Sequence, residues 1–450
     1  MVALSKTFNR LQPFRSLVLG DFLLDTYTTG RVKRISPEAP VPVMEVLRQE
    51  ARPGGAGNVV LNLRALGSQV LCVGRIGKDS HGQQLKELLS LDGIDCSSLL
   101  EERGYTTPVK NRLIADSQQL LRVDFETISP LDPSLEEQLL EQLKSLIPQV
   151  QIVAISDYGK GFLTNRLISS ALEIAKKAGI PAIVDPKGTD FTKYRGASIL
   201  KPNLSEAYAA AKMPPSTPLG KVAQEIFSHA SIDLLLITRS EAGMSLFDPK
   251  GNRSDFPVVS KEVKDVTGAG DTVLATLCLS IANQLDLSSA VSLSNIAAGI
   301  AIERLGCVQV TLPELAKRLL REKNETKIFD EDHTYALKQV LQGKQYSLLV
   351  LSKGQQITHA FLRSIRKFAE KENHELIIYL EGSHPQDEFV RFLSSLNEVN
   401  YIVLQSESLK HLCEEIHPHE IYMLKGEEVI QIDQAREVLH TLINYRAAKT

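Results

Sequence analysis

No excess of positive charge marks this chain: 51 lysines and arginines stand against 54 aspartates and glutamates, a formal net charge of -3. A protein that grips nucleic acid or anionic lipid through its overall charge needs the opposite balance. Long hydrophobic runs are missing too, since none approaches the roughly 18–20 apolar residues that a membrane helix requires. Cysteine is scarce. Cys72, Cys96, Cys278, Cys307 and Cys413 are odd in number, widely spaced and without a CxxC pair. That argues against a disulfide framework and suits reduced packing residues. The opening stretch MVALSKTFNRLQPFRSLVLGD has no apolar core followed by a small-residue exit site, so no secretory leader is expected. Solenoid repeats and low-complexity tracts are also absent. The expectation is a cytoplasmic multidomain protein.

What is present suits large cores: 450 residues, 43% hydrophobic and 23% charged, enough for two or three folding units. Nearly continuous apolar runs at Ser16–Asp21, Val70–Gly77, Gln151–Asp157, Pro181–Gly188, Ser198–Asn203 and Asp233–Ser240 predict strands buried on both faces of a parallel sheet. Amphipathic segments such as Leu163–Ala178 and Leu219–His229 lie between them. The alternation predicts a doubly wound α/β fold with its ligands at the carboxyl ends of the strands. Two β-like segments, about 31–52 and 105–126, lack intervening helices and are expected to form a small antiparallel sheet, either a pair of surface hairpins or a lid over a cleft. The charged stretch 312–345 is expected to carry the domain boundary: a first domain over 1–325, a linker over 326–342 and a smaller Rossmann-like α/β domain over 343–450.

DVTGAGD, Asp265–Asp271, followed by the apolar segment TVLATLCLSIANQ, is the most informative stretch. Glycines before a helix let backbone N–H groups approach an anion, and the helix N-terminus adds partial positive charge. Asp271 is then placed to take a proton from a hydroxyl attacking a phosphoryl group, although an N-cap aspartate after a glycine turn has the same pattern. KPNLSE, Lys201–Glu206, ends a predicted strand. Asn203 and Glu206 read either as a capping box or as residues facing a Mg²⁺-bound nucleotide, and the two readings are compatible. Gly54 and Gly55 precede a helix carrying Asn58, while Asp21 and Asp25 follow the first strand. Such side chains hydrogen-bond polyols well.

The ordered set GD…D, GGAGN, NLSE, ITRSEAG and DVTGAGD resembles the ribokinase-like carbohydrate kinases over residues 14–320. RISPEAPVPV, SQQLLRVDFE, SDYGKG, VDPKGTDFTKYRGA and ITRSEAGMSL narrow the resemblance to the kinase half of the bacterial bifunctional D-glycero-β-D-manno-heptose 7-phosphate kinase / heptose 1-phosphate adenylyltransferases. That resemblance implies Mg-ATP-dependent phosphorylation of the anomeric hydroxyl of heptose 7-phosphate, on the route to ADP-heptose and the lipopolysaccharide core. It makes Asp271 the catalytic base and gives the anion hole to the amides of Gly268, Ala269 and Gly270. Asn203, Leu204, Ser205 and Glu206 fall at the ATP site, Thr238, Ser240 and Gly243 on the nucleotide side, and Asn295 near adenine. Asp25, Gly54, Gly55 and Asn58 fall at sugar positions. Arg112, Arg122, Lys160 and Lys187 are candidates for holding the sugar phosphate, and surface or sheet-edge charge is the plainer reading of each. The lid of this family often pairs between subunits, which implies a homodimer.

The second half departs from the resemblance. Its adenylyltransferase pattern needs HxGH after a strand and a glycine turn, but LLVLSKGQQITHAFLRSI, Leu348–Ile365, has Phe361 for the glycine and Leu362 for the second histidine, after a shortened turn. Phenylalanine removes the close backbone approach and leucine removes a donor to phosphate. MLKGEE, Met423–Glu428, keeps only a trace of the lysine-glycine segment, and LINYRAAKT lacks the serine-threonine-rich element. His384, His417 and His419 match neither HxGH nor a zinc spacing. A fold retained without adenylyl transfer is expected. Two alternatives stay open: a kinase of the same family for another sugar phosphate, and a non-catalytic scaffold.

Overall fold

The computed structural model describes residues 8, 11–115, 118–258, 263–304, 306–322, 327–329, 334–351, 358–369, 374–380, 387–404, 409–425 and 428–432. The chain divides into two compact units, Leu11–Thr311 and Leu312–Thr450 with Met1–Arg10. The linker expected over 326–342 falls within the second unit. Helix Leu312–Glu322 packs on helix Thr334–Leu341, so the described parts of the charged stretch 312–345 include these two helices.

In the first unit, β1 (Phe14–Gly20), β4 (Ser68–Gly77), β5 (Leu99–Glu102), β8 (Ile152–Ser156), β9 (Ala182–Asp185), β10 (Ile199–Leu200), β11 (Leu234–Thr238), β12 (Met244–Phe247) and β13 (Arg253–Phe256) form one sheet. Its order is β13-β12-β11-β10-β9-β8-β1-β4-β5. All pairs from β5 to β11 are parallel, and β12 and β13 close that edge antiparallel. Leu17, Leu19, Val153, Ile155 and Val184 enter a core shared with helices such as α4 (Asn165–Lys177) and α6 (Leu219–Ala230). Helices α1 (Ala56–Ala65), α7 (Ala269–Ala282) and α8 (Leu287–Ile302) pack together, with α1 and α7 lying against the central strands.

The lid sheet has the order β3-β2-β6-β7, from β2 (Phe22–Ile35), β3 (Pro42–Gly55), β6 (Val109–Ala115) and β7 (Gln118–Phe125). It corrects the expectation in two ways. The sheet begins at Phe22 rather than near residue 31, and β2 pairs with β6 in parallel, so it is not purely antiparallel. The chain enters the lid straight from β1, which carries Asp25 and Tyr27 into the sheet. Pro42 opens the edge strand β3, where a missing N–H costs no ladder bond.

The second unit has a six-stranded sheet of order β14-β17-β16-β15-β18-β19. Its strands are β14 (Ile328–Phe329), β15 (Gln345–Leu351), β16 (His374–Leu380), β17 (Tyr401–Val403), β18 (Glu420–Lys425) and β19 (Glu428–Ile432). Only β19 runs antiparallel to its neighbour. The strands at 345–351, 374–380 and 401–403 match the expected second α/β pattern.

Candidate active site

Gly268 stands at the N-cap of α7 with φ 78°, in the left-handed region. A Cβ there would lie 2.8 Å from Asn58 Nδ2 and 3.3 Å from Cys307 Sγ, so the turn needs glycine. Asp265 stiffens it. Its Oδ1 accepts from the Thr267 amide and hydroxyl at 2.9 and 2.7 Å, and its Oδ2 from the Gly306 amide at 2.8 Å. Burial opposes ionisation of Asp265, but these hydrogen bonds hold its carboxyl below the usual value. The amides of Gly268, Ala269 and Gly270 thus stand at the N-terminus of a 14-residue helix.

Asp271, 3% exposed, lies in the first turn of that helix. Its Oδ2 accepts from Asn58 Nδ2 and its Oδ1 from the Tyr158 hydroxyl, each at 2.8 Å. Burial, helped by Asp185 and opposed by the Asn58 and Tyr158 hydrogen bonds and by Lys201, raises Asp271 to about 7. A carboxylate this basic is matched to proton abstraction near neutral pH. Lys201, 2% exposed, pairs with Asp185 at 3.0 Å. A Cβ on Gly270 would stand 3.6 Å from Lys201 Nζ and 3.8 Å from Asp185 Oδ2, so this ion pair flanks the helix N-terminus.

On the lid side, Asp25 is 4% exposed and accepts from Arg112 at 2.5 Å, with Cys307 Sγ 3.7 Å from its other oxygen. Gly54 leaves the room for that carboxylate: a Cβ would fall 2.1 Å from Asp25 Oδ2. Gly55, at φ 56°, turns the chain into α1, which carries Asn58. We expect Gly54→Ala to push Asp25 aside and to lower kcat/KM for the sugar about 10–100-fold, the scale of a hydrogen bond to a charged group. Mg-ATP affinity should be retained. Unchanged sugar kinetics would contradict the sugar-side expectation for Asp25.

Strand register places Asp25 opposite Lys110, Tyr27 opposite Arg112, Lys110 opposite Asp124 and Arg112 opposite Arg122. With side chains alternating along each strand, these residues share one face. Lys110 Nζ stands 5.4 Å from the Tyr158 ring centroid, and burial, followed by the nearby Lys160, lowers its pKa. Lys160 pairs with Glu126 at 2.6 Å, and Arg122 forks onto Asp124 at 2.8 and 3.0 Å.

On the other side of Asp271, Asn203 caps helix Leu204–Ala210 in a complete capping box: its Oδ1 accepts from the Glu206 amide at 2.9 Å, and its own amide donates to Glu206 at 3.0 Å. Leu204 and Ser205 form the first turn. Asn203 bridges to Thr238 at the end of β11. Ser240, at φ 49°, and Gly243, at φ 80°, shape the turn beyond it. A Cβ on Gly243 would fall 2.0 Å from the Phe256 carbonyl. Asn295 donates to the Pro257 carbonyl at 2.6 Å, which gives it a structural partner.

Lys187 bonds Glu206 at 2.8 Å and so stands with Asn203 and Glu206, while Lys160 and Arg122 belong to the lid-side group. Among the described residues, no group of three or more His, Cys, Asp or Glu could hold a metal ion by itself. Sequence reasoning did not single out Tyr158, Lys110, Asp185, Lys201 or Cys307. SDYGKG, VDPKG and KPN flagged the stretches of three of them, but side-chain direction decided the matter.

In the second unit, Phe361 is fully buried among Leu349, Leu351, Ile365, Phe368 and Ile378, and its ring lies 5.8 Å from Phe389. Leu362 packs against the same cluster. The two residues that break HxGH therefore fill the core. The turn at 352–357, His384, the Gly426–Glu427 pair and the segment 433–450 lie outside the described residues. His417, at φ 49°, and His419, whose ring meets Tyr346 at 5.1 Å, line an open groove.

A doubly wound sheet, a β lid, a glycine turn at a helix N-terminus and a buried aspartate beside it define a kinase of the ribokinase-like class. Residues 16–315 match the pfkB family of carbohydrate kinases, and the chain belongs to that family. It is 45% identical over 321 residues to the bifunctional protein HldE of Trichlorobacter lovleyi, covering 71% of this chain and 65% of that one. With the bifunctional protein HldE of Aliarcobacter butzleri it shares 35% identity over 447 residues, covering 94% and 93%. Among solved structures, phosphofructokinase-2 from Escherichia coli has the same fold at TM-score 0.57 and 20% identity, covering 69% of this chain and all of that one. Arabidopsis thaliana ribokinase does so at 0.55 and 18%, covering 68% and 99%.

Proposed function

We propose that this chain transfers the γ-phosphoryl group of Mg-ATP to the anomeric hydroxyl of D-glycero-β-D-manno-heptose 7-phosphate. The observation that carries the reading is Asp271, buried at the anion-binding end of α7 and raised to about 7, between the capped Asn203–Glu206 turn and the cationic lid face. Asp271 takes the hydroxyl proton as the sugar oxygen bonds to phosphorus. The bond from phosphorus to the bridging β,γ-oxygen breaks, and the electron pair leaves with ADP. The amides of Gly268 and Gly270 face the charge on the transferring group in this reading, whereas the Ala269 amide, expected to join them, donates to the Val266 carbonyl at 3.3 Å. Mg²⁺ supplies charge neutralisation at the β- and γ-phosphates when bound. Asn203 to Glu206, Thr238, Ser240 and Gly243 form the nucleotide side in this reading, and Asp25, Gly54, Gly55 and Asn58 the sugar side. On the lid face Arg112, Arg122 and Lys160 are paired with Asp25, Asp124 and Glu126, and Lys110 adds a fourth cation to these three carboxylates, a balance that favours a substrate with an anionic end.

The product is heptose 1,7-bisphosphate, made in the cytoplasm for ADP-heptose and the lipopolysaccharide core. The strings beyond the general kinase signature, together with the similarity to HldE proteins, support this choice of sugar. Among the described residues no helix is long and apolar enough to cross a membrane. With Phe361 and Leu362 packed in its core, the second unit is read as having lost adenylyl transfer. Val46, Leu47, Leu121 and Phe125 are each more than half exposed on the lid strands, which supports a homodimer paired through the lid.

The second reading, another phosphorylated sugar, is favoured by the same cations. Competition among heptose 7-phosphate, fructose 6-phosphate and ribose, scored by kcat/KM, separates the two. Heptose 7-phosphate is expected to lead and ribose to trail far behind. Preference for ribose would contradict the reading of the lid face as the holder of a sugar phosphate. A scaffold role predicts no turnover with any of the three.

A further inference from the structure

The two oxygens of Asp271 are held by two neutral donors from opposite sides. Asn58 is fixed in orientation because its own Oδ1 accepts from Asn62 Nδ2 at 3.2 Å, while Asn62 Oδ1 accepts from the Val310 amide at 3.2 Å. Tyr158 is fixed by its loop. The Tyr158 and Lys160 amides donate to Asp21 Oδ2 at 2.8 and 3.1 Å, and the Gly159 amide donates to Asp157 Oδ1 at 2.7 Å. Asp157 is itself anchored by Lys193 and the Tyr194 hydroxyl, both at 2.7 Å. Burial, followed by the adjacent Asp271 carboxylate, holds the Tyr158 phenol well above its ordinary value, so it remains a donor throughout the neutral range.

We infer that Tyr158 is a positioning residue for phosphoryl transfer, orienting Asp271 through its hydroxyl and keeping it ionised in a buried site. This rests on the reading of Asp271 as the base. The titratable groups facing Asp271 are Asp185 from the end of β9, Lys201 after β10, the Cys307 thiol after α8 and Tyr158 itself. Lys201 is paired with Asp185 and favours the Asp271 charge less than either hydrogen bond does, so the two neutral donors carry most of its stabilisation. A hydrogen bond to the carboxylate lowers its pKa. Removing that bond must raise the midpoint and move the acid limb of kcat/KM to higher pH.

The test is Tyr158→Phe, which keeps the ring. Aspartate ¹³Cγ chemical shifts, with Asp271→Asn to assign the resonance, read the Asp271 midpoint without requiring turnover. It is expected near 7 in the parent and about one unit higher in the variant. In kinetics, kcat/KM should be roughly tenfold lower at pH 6.5, narrowing to within about threefold above pH 9. A residue that only fills space would lower the rate equally at every pH and leave the midpoint unmoved. An unmoved Asp271 resonance overturns the inference whatever the turnover, whereas absent turnover with a moved resonance counts against the proposed reaction alone. If melting or Mg-ATP binding shows that Tyr158→Phe is misfolded, 3-fluorotyrosine in place of the 11 tyrosines makes the phenol a stronger donor. The midpoint should then fall; a constant or higher value overturns the inference equally.

Discussion

Asp271→Asn is expected to lower kcat/KM by about 10³-fold, within the range that a positioned general base contributes. The fold should survive. The asparagine carbonyl can accept from Asn58 Nδ2 where the carboxylate did, and its amide can donate to the Tyr158 oxygen once that hydroxyl rotates. Stability should even improve at neutral pH. With Asp271 raised to about 7 from the ordinary 3.8 of a free aspartate, the native state binds more protons than the unfolded chain between those values. The parent therefore loses stability as pH rises through that window, and the asparagine variant does not. Thermal unfolding at pH 4 and pH 7.5, beside turnover, checks both halves. Near-parent turnover would remove Asp271 from its role.

The second large effect is on stability. Phe361→Ala should cost about 3–5 kcal/mol in the unfolding of the C-terminal unit, the usual penalty for emptying a buried aromatic site. Phe361 has no exposed surface and packs among Leu349, Leu351, Ile365 and Phe368, so little room exists for compensating collapse. Denaturant unfolding followed in the full chain measures it, and the Mg-ATP kinase reaction should be unaffected. A cost under about 1 kcal/mol would mean that the position is not committed to the core. The same packing predicts that a glycine at position 361 alone would not confer adenylyl transfer, because it empties the core in which Phe361 sits.

Most of the parallel strands were legible in the sequence because they are buried on both faces and read as apolar runs, as Leu17–Val18–Leu19 and Ile152–Ile155 do, whereas β5, the half-exposed LLEE at Leu99–Glu102, was not. The lid strand Phe22–Ile35 was not. It follows β1 with one intervening residue and alternates threonines with Asp25 and Tyr27, so neither a turn nor a helix announces it. DVTGAGD and KPNLSE were legible because glycine and capping chemistry act locally, and the capping box formed as its spacing implied. What local chemistry cannot give is register. Lys160 and Lys187 both follow strand ends, yet one meets Glu126 and the other Glu206. Lys110 comes to the same face as Asp25 only through the parallel pairing of β2 with β6. Tyr158 reaches Asp271 across 113 residues of chain, a contact created by the sheet order.

The most direct test of the account is purified full-length protein with Mg-ATP and D-glycero-β-D-manno-heptose 7-phosphate, following ADP release with mass spectrometry on the sugar. The account predicts ADP in step with a heptose bisphosphate, and no ADP-sugar even after the C7 phosphate is removed. Absence of ADP release above background would contradict the kinase assignment for this sugar, and an ADP-sugar product would contradict the loss of adenylyl transfer.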